Sequence, residues 1–347
     1  MSAYEREIQD YNEAIRLNPQ DADAYNNRGV AYHHMGQYER AIQDYNEAIR
    51  LNPQDADAYS NRGAAYHHMG QYERAIQDYN EATRLNPQGA AAYNNRGVAY
   101  GALQEFDRAI QDYNQAIRLN PQNAGTYYDR GAAYHHMGQY DRAIQDYDEA
   151  IRFDPQHIEA YNNRAYSYGA LGQTERGMQD FDEAIRLAPQ TPLTYFNRGL
   201  AYLERYQHEQ AIQDFDELIR LAPQFAKAYN LRGLAYFRCC IYQVTADGVL
   251  VNEGMIDIDD ELRMGMLGSA FKDYDEAIRL DPQFASAYYN RGLAYHHLGP
   301  VHAELSIQDH EEAVRLDPQY ADSYYGEGPL LKGTVIPPTS QQPYKPQ

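Results

Sequence analysis

The chain has 347 residues, 35 of them Tyr and none Trp, and a formal net charge of −20. An acidic surface of that size repels nucleic acid and anionic lipid alike, so neither is an expected partner. The lopsided aromatic usage points to one short motif copied many times, and the adjacent pair Cys239 and Cys240 provides no disulfide framework. The opening MSAYEREIQD lacks the apolar core of a signal peptide, and no run approaches the roughly 20 apolar residues that span a bilayer. A soluble, cytoplasmic protein with no membrane contact is the expectation.

Taken from the start, residues 1–19 read as half a motif. AYEREIQDYNEAIRLN matches only a second helix, so Ile8, Tyr11, Ala14 and Ile15 lack a hairpin mate. Three readings stand: a cap, an apolar face for another copy (a homo-oligomer through the N-terminal helix), or the edge of a longer protein.

From residue 20 to 238 a full motif recurs. Pro19, Pro53, Pro87, Pro121, Pro155, Pro189 and Pro223 lie 34 residues apart; Pro282 follows after 59 and Pro318 after 36. One unit, DADAYNNRGVAYHHMGQYERAIQDYNEAIRLNP, runs from Asp21 to Pro53, and eight such units reach Pro318. In each, the spacing predicts a first helix over about 22–35 capped by Asp21, with Tyr25, Gly29 and Tyr32 on one face. Gly36 breaks the chain for a turn. The second helix carries Tyr38, Ala41, Tyr45 and Ala48 in a stripe until Pro53, which lacks an amide hydrogen, ends it. Gly29 and Ala41 permit close approach, and the tyrosines fill the space around them. One hairpin alone cannot offset its ordering entropy, so the units must stack.

Residues 239–267 interrupt the seventh unit and are expected as an insertion loop. IYQV and VLV flank a hairpin turn at Asp247–Gly248, and MIDIDDELRMGM is acidic with a helical option. The order of an EF-hand loop is absent, so no metal is expected there. Residues 268–318 complete units seven and eight. Residues 319–332, with Tyr324 and Gly328 in register, imitate a first helix and should cap the array, shortened by Pro329. Residues 333–347 have no apolar period and read as a disordered tail.

Tyr25, Gly29, Tyr32, Ala41, Tyr45, Ala48 and Pro53, recurring eight times, resemble the signature of the tetratricopeptide repeat in its YNNRG form. Departures are local: Ala165 replaces the Gly, Gly177 and Ser306 the first Ala, and His310 the second-helix aromatic. The resemblance implies an all-α, right-handed α-solenoid of tandem helix-turn-helix hairpins. It also implies a non-catalytic scaffold for protein–protein interaction, binding an extended peptide or partner helix in a concave groove lined by first helices. The alternative is an assembly factor that oligomerises through its N-terminal helix. No enzyme site or cofactor is expected.

Two sets of columns sharpen this. Arg28 and its equivalents at 62, 96, 130, 164, 198, 232 and 291 face Asp44 and its equivalents at 78, 112, 146, 180, 214, 273 and 309, which predicts ion pairs within or between units. They would be weak if solvated. On the lining side, Asn27, Asn61, Asn95, Asn163, Asn197 and Asn290 form a column broken by Asp129 and Leu231. It resembles the asparagine ladder of O-linked N-acetylglucosamine transferases, which implies a grip on peptide backbone; the competing reading is that these amides bond neighbouring helices. Later units place Leu200, Leu203, Leu234 and Phe237 on the same lining, as an apolar groove. The pairs such as His33–His34 point about 100° apart and suit no single ion, so no metal site is assigned. The lysine–arginine clamp of chaperone-binding relatives is missing from the lining, where Lys227 stands alone.

Overall fold

The computed structural model describes residues 3–244, 250–252 and 260–323. Helix α1 (Ala3–Leu17) precedes α2 (Ala22–His34), α3 (Tyr38–Leu51), α4 (Ala56–His68), α5 (Tyr72–Leu85), α6 (Ala90–Ala102), α7 (Phe106–Leu119), α8 (Ala124–His136), α9 (Tyr140–Phe153) and α10 (Ile158–Ala170). Then come α11 (Thr174–Leu187), α12 (Pro192–Glu204), α13 (His208–Leu221), α14 (Ala226–Ile241), α15 (Asp260–Leu280), α16 (Ala285–His297) and α17 (Ala303–Leu316). The described residues form two compact bodies, 3–172 and 173–323, that divide between α10 and α11. Each is a stack of tandem helical hairpins, the all-α solenoid organisation that the repeat implies.

Local chemistry sets the boundaries. The Asp21 carboxylate accepts from the Ala24 amide at 3.0 Å, and Asp55 and Asn123 cap α4 and α8 in the same way. The turn between paired helices needs one left-handed residue, supplied by Gly36, Gly70, Gly138 and Gly172 at φ between +70° and +72°. Gln104 and Tyr206 adopt φ of 60° and 58° at the same place, where a Cβ is unfavourable.

Packing inside a hairpin turns on one close approach. A Cβ on Gly29 would stand 2.6 Å from Cε1 of Tyr45, and Gly63, Gly97 and Gly131 meet Tyr79, Tyr113 and Tyr147 likewise. Ala41 and Ala48 are fully buried and Tyr45 nearly so. Neighbouring repeats then share a core, as where Tyr66, Tyr79, Tyr100, Tyr113 and Ala133 belong to one cluster.

The arginine column is a clasp with two arms. Arg96 donates from Nε and Nη2 to both oxygens of Asp112 at 2.7 and 2.6 Å, and from Nη1 to Asn80 Oδ1 at 2.8 Å. The first arm closes its own hairpin; the second reaches the second helix of the preceding repeat. Arg28, Arg62 and Arg130 do the same with Asp44, Asp78 and Asp146, and with Asn12, Asn46 and Asn114. In the C-terminal body Arg198, Arg232 and Arg291 hold Asp214, Asp273 and Asp309, but their second arm ends on Asp182, Asp216 and Asp275. Arg164 already shows that change, with Asp148. The expected pairs form within and between units, and the solvation that would make them weak is absent: Arg96 and Asp112 are only 17% and 9% exposed.

The insertion leaves this register intact, since Arg232 reaches Asp273 across 41 positions where the other repeats use 16 or 18. It is not a loop throughout. Helix α14 continues to Ile241, α15 begins at Asp260, and strands β1 (Tyr242–Val244) and β2 (Leu250–Asn252) pair antiparallel with Tyr242 opposite Asn252. The reason is visible at Leu267, which is 1% exposed in a cluster with Phe237 and Cys240, so the added turns of α15 have a face to bury. The Asp247–Gly248 turn lies outside the described residues. So do the expected capping helix beyond a 3-10 turn at Pro318–Ser323, with Tyr324, Gly328 and Pro329, and the tail 333–347.

Replacing Gln104 or Tyr206 by Gly should each stabilise the fold by about 1 kcal/mol, read as a higher urea midpoint at unchanged slope. A double-mutant cycle of Arg96→Gln and Asp112→Asn should give a coupling of about 1–3 kcal/mol, and coupling near zero would mean the clasp carries no free energy of its own.

Candidate functional site: the columns of the first helices

In the N-terminal body the first helices leave one face open. Asp23, Asn27, His34, Asp57 and His68 are exposed, and Asn26, Val30, Asn61 and Asn95 are half-buried. The asparagine column has a use of its own there. Asn61 Nδ2 donates to Asn26 Oδ1 at 3.1 Å, and Asn163 Nδ2 to the Tyr128 hydroxyl at 3.1 Å. In the C-terminal body Asn290 Nδ2 donates to Asn230 Oδ1 at 3.0 Å. Each bond runs from one first helix to the preceding one, so the amides stitch repeats together. Asn163, Asn197 and Asn290 are buried, which leaves Asn27, Asn61 and Asn95 as the members with accessible surface.

Asp129 reverses the stitch. Here Asn94 is the donor, from Nδ2 to Asp129 Oδ2 at 3.4 Å, while the buried Asn94 Oδ1 meets no donor among the described residues. Burial pushes the Asp129 carboxyl up to about 6, against the opposing pull of Asn94 and His157. The His157 ring lies 4.8 Å from that of Tyr128, and its Nδ1 is 3.2 Å from a Glu159 oxygen. The sequence marks Asp129 only as a break in a column. Its donor, Asn94, belongs to the adjacent column one repeat earlier, and the 35-residue spacing of every N-terminal stitch is the signal that pairs them.

The apolar lining of the later units is corrected by burial. Leu200, Leu203, Leu234 and Phe237 are 7%, 0%, 3% and 6% exposed, so they present almost no surface to a guest. Leu200 and Leu203 share a core with Phe196, Phe215 and Leu231, and Phe237 shares one with Leu267 and Tyr274. Phe196 and Leu231 occupy the two columns that the asparagines stitch elsewhere. Two large apolar groups at that junction draw the first helices into a dry core in place of a hydrogen bond.

The histidine pairs belong to inter-repeat stacks. His34 lies on Tyr4, His68 on Tyr38 and His136 on Phe106, with ring centroids 5.1 to 5.3 Å apart and planes within 14°. Burial pulls His33, His67 and His136 down and His135 to about 4, so these rings pack as neutral groups at pH 7.

A carboxyl raised on folding penalises the folded state in its charged form. Stability therefore falls as pH rises from about 4, the ordinary carboxylate value, through 6, and the full cost applies at pH 7. Asp129→Asn should raise stability at pH 7 by on the order of 1 kcal/mol once partial solvent access is allowed for, and leave it unchanged near pH 4. Thermal melts at the two pH values check both the sign and the window.

No curated protein matches this chain. Family profiles do. Those described as tetratricopeptide repeat match residues 56–88, 90–123, 124–157, 10–43, 146–179 and 192–225, and one described as TPR repeat matches 32–70 and 260–299. Among solved structures, a tetratricopeptide repeat protein from Parabacteroides merdae is 24% identical over 66% of this chain and 90% of its own, with a TM-score of 0.52. The APC/C hetero-tetramer Cut9–Hcn1 is 16% identical over 91% of this chain and 57% of that one, at 0.53. A structure of MamA is 28% identical over 46% of this chain and 93% of its own, at 0.44. With profile matches running through both bodies and the hairpins in place beneath them, the chain belongs to the tetratricopeptide repeat family.

Proposed function

We propose that the chain is a non-catalytic scaffold that holds an extended polypeptide along the first helices of its N-terminal body. The observation that carries this reading is the open polar face of α2, α4 and α6, where Asn27, Asn61 and Asn95 repeat at the 34-residue period. An amide offers both a donor and an acceptor, so such a row suits a peptide backbone whatever its side chains. The thiols support the non-catalytic part. Burial pushes Cys239 up to about 12 and Cys240 to about 11, which leaves both poor nucleophiles at neutral pH.

Self-assembly through α1 is the second reading. In its favour, Tyr11 is only half-buried where the equivalent Tyr45 is 1% exposed. Against it, Glu7 stands where the other second helices carry Ala, Gly177 or Ser306, so a docking first helix would have to bury a carboxylate.

A photo-crosslinking side chain placed at Asn27 or Asp57 should capture partner chains, and one at the exposed second-helix positions Gln43 or Gln77 should not. Equal capture from both sets would defeat the assignment of the face. Light scattering on the full chain tests the second reading: a monomer that Glu7→Ala converts to a dimer would show α1 blocked by that one carboxylate.

A further inference from the structure

We propose that Asp129 anchors a basic side chain, lysine or arginine, of the polypeptide that lies on the N-terminal body; this rests on the scaffold reading above and names what the guest must carry. In its column Asp129 takes the place of an amide of the same size and shape. The substitution therefore changes charge and little else. A neutral amide would complete the stitch to Asn94; the carboxylate leaves it long, at 3.4 Å, and leaves Asn94 Oδ1 without a donor among the described residues. Local structure thus gains nothing from the charge and bears the desolvation.

The aspartates of the clasps have their countercharge. Asp112 and Asp146 each accept from two nitrogens, Nε and Nη2, of a guanidinium. Asp129 has Asn94 and His157 beside it, and among the described residues no guanidinium or ammonium pairs with it. His157 lies against the Tyr128 ring, with Nδ1 3.2 Å from a Glu159 oxygen, and acts on Asp129 through charge alone. Tyr113 and Tyr128 both feel the Asp129 charge, and Glu159 adds to the negative potential at Tyr128. A carboxylate bordered by tyrosine rings and a second acid is an environment that favours a cation with an aliphatic stem.

The test is a selection of random peptides displayed on phage against the immobilised full chain, run in parallel on Asp129→Asn and on Asp23→Asn, an exposed acid of the same face. The wild type and Asp23→Asn should enrich lysine or arginine at one fixed position, and Asp129→Asn should lose that preference while still recovering peptides. A selected peptide, titrated by fluorescence anisotropy, should bind Asp129→Asn roughly tenfold more weakly, and its Lys→Met form should bind both proteins alike. Peptides recovered without a basic position, a preference that survives Asp129→Asn, or one lost equally in Asp23→Asn would overturn the inference and leave the scaffold standing. Recovery of no peptide by the wild type would overturn the scaffold reading, and this one with it.

Discussion

A guanidinium that touches three helices holds this architecture in register. Arg28, Arg62, Arg96, Arg130, Arg198, Arg232 and Arg291 each sit on a first helix, close their own hairpin through an aspartate, and reach back to the second helix of the repeat before it. Because the fork is planar and rigid, both arms are satisfied only when the two second helices stand at one separation and one rotation. Partial burial strengthens the attraction and raises its desolvation cost together: burial pushes the carboxyls of Asp146, Asp214 and Asp273 up even beside their arginines. Such a pair therefore specifies geometry more than it adds net stability. The apolar contact of tyrosine on glycine supplies the attraction, and the clasp decides where it is made.

The second arm also explains an uneven charge. From Arg28 to Arg130 its acceptor is an asparagine, and from Arg164 onwards an aspartate. A neutral acceptor leaves each early clasp balanced, one cation to one anion. A charged acceptor gives the later ones a second anion, so part of the net −20 is bound up in the inter-repeat joints themselves. Those joints gain a stronger, salt-sensitive bond at the expense of repulsion between flanking carboxylates.

Much of this was legible in the sequence because a repeat prints its own contacts. A column that keeps its spacing from unit to unit must serve the same neighbour each time, so Arg28 could be paired with Asp44 from spacing alone; Gly29 was legible as a place of close approach, and the structure supplies Tyr45 as the group it meets. Exposure was not legible in the same way. A leucine at position 200 or 203 satisfies the helical period equally whether it lines a groove or fills a joint, and the deciding fact is the size of Phe196 and Leu231 across the junction. The asparagines pose the same ambiguity in polar form. Their partners lie one column over and one repeat back, a relation that depends on how far successive hairpins rotate.

That junction sets what is left for a guest. Where Asn26 meets Asn61, the first helices are joined by one hydrogen bond and both side chains stay only half-buried. Where phenylalanine meets leucine, the same space is dry and closed. In the scaffold reading, the face left for a guest is the part of the first-helix surface that stacking does not consume, and the residue pair at the 26 and 61 positions and their equivalents sets how much that is. In the scaffold reading proposed above, the amide joints of the N-terminal body are the ones that leave surface for a guest, and the aromatic and aliphatic joints of residues 196–237 are closed. Asp129 sits among the amide joints and is itself half-buried.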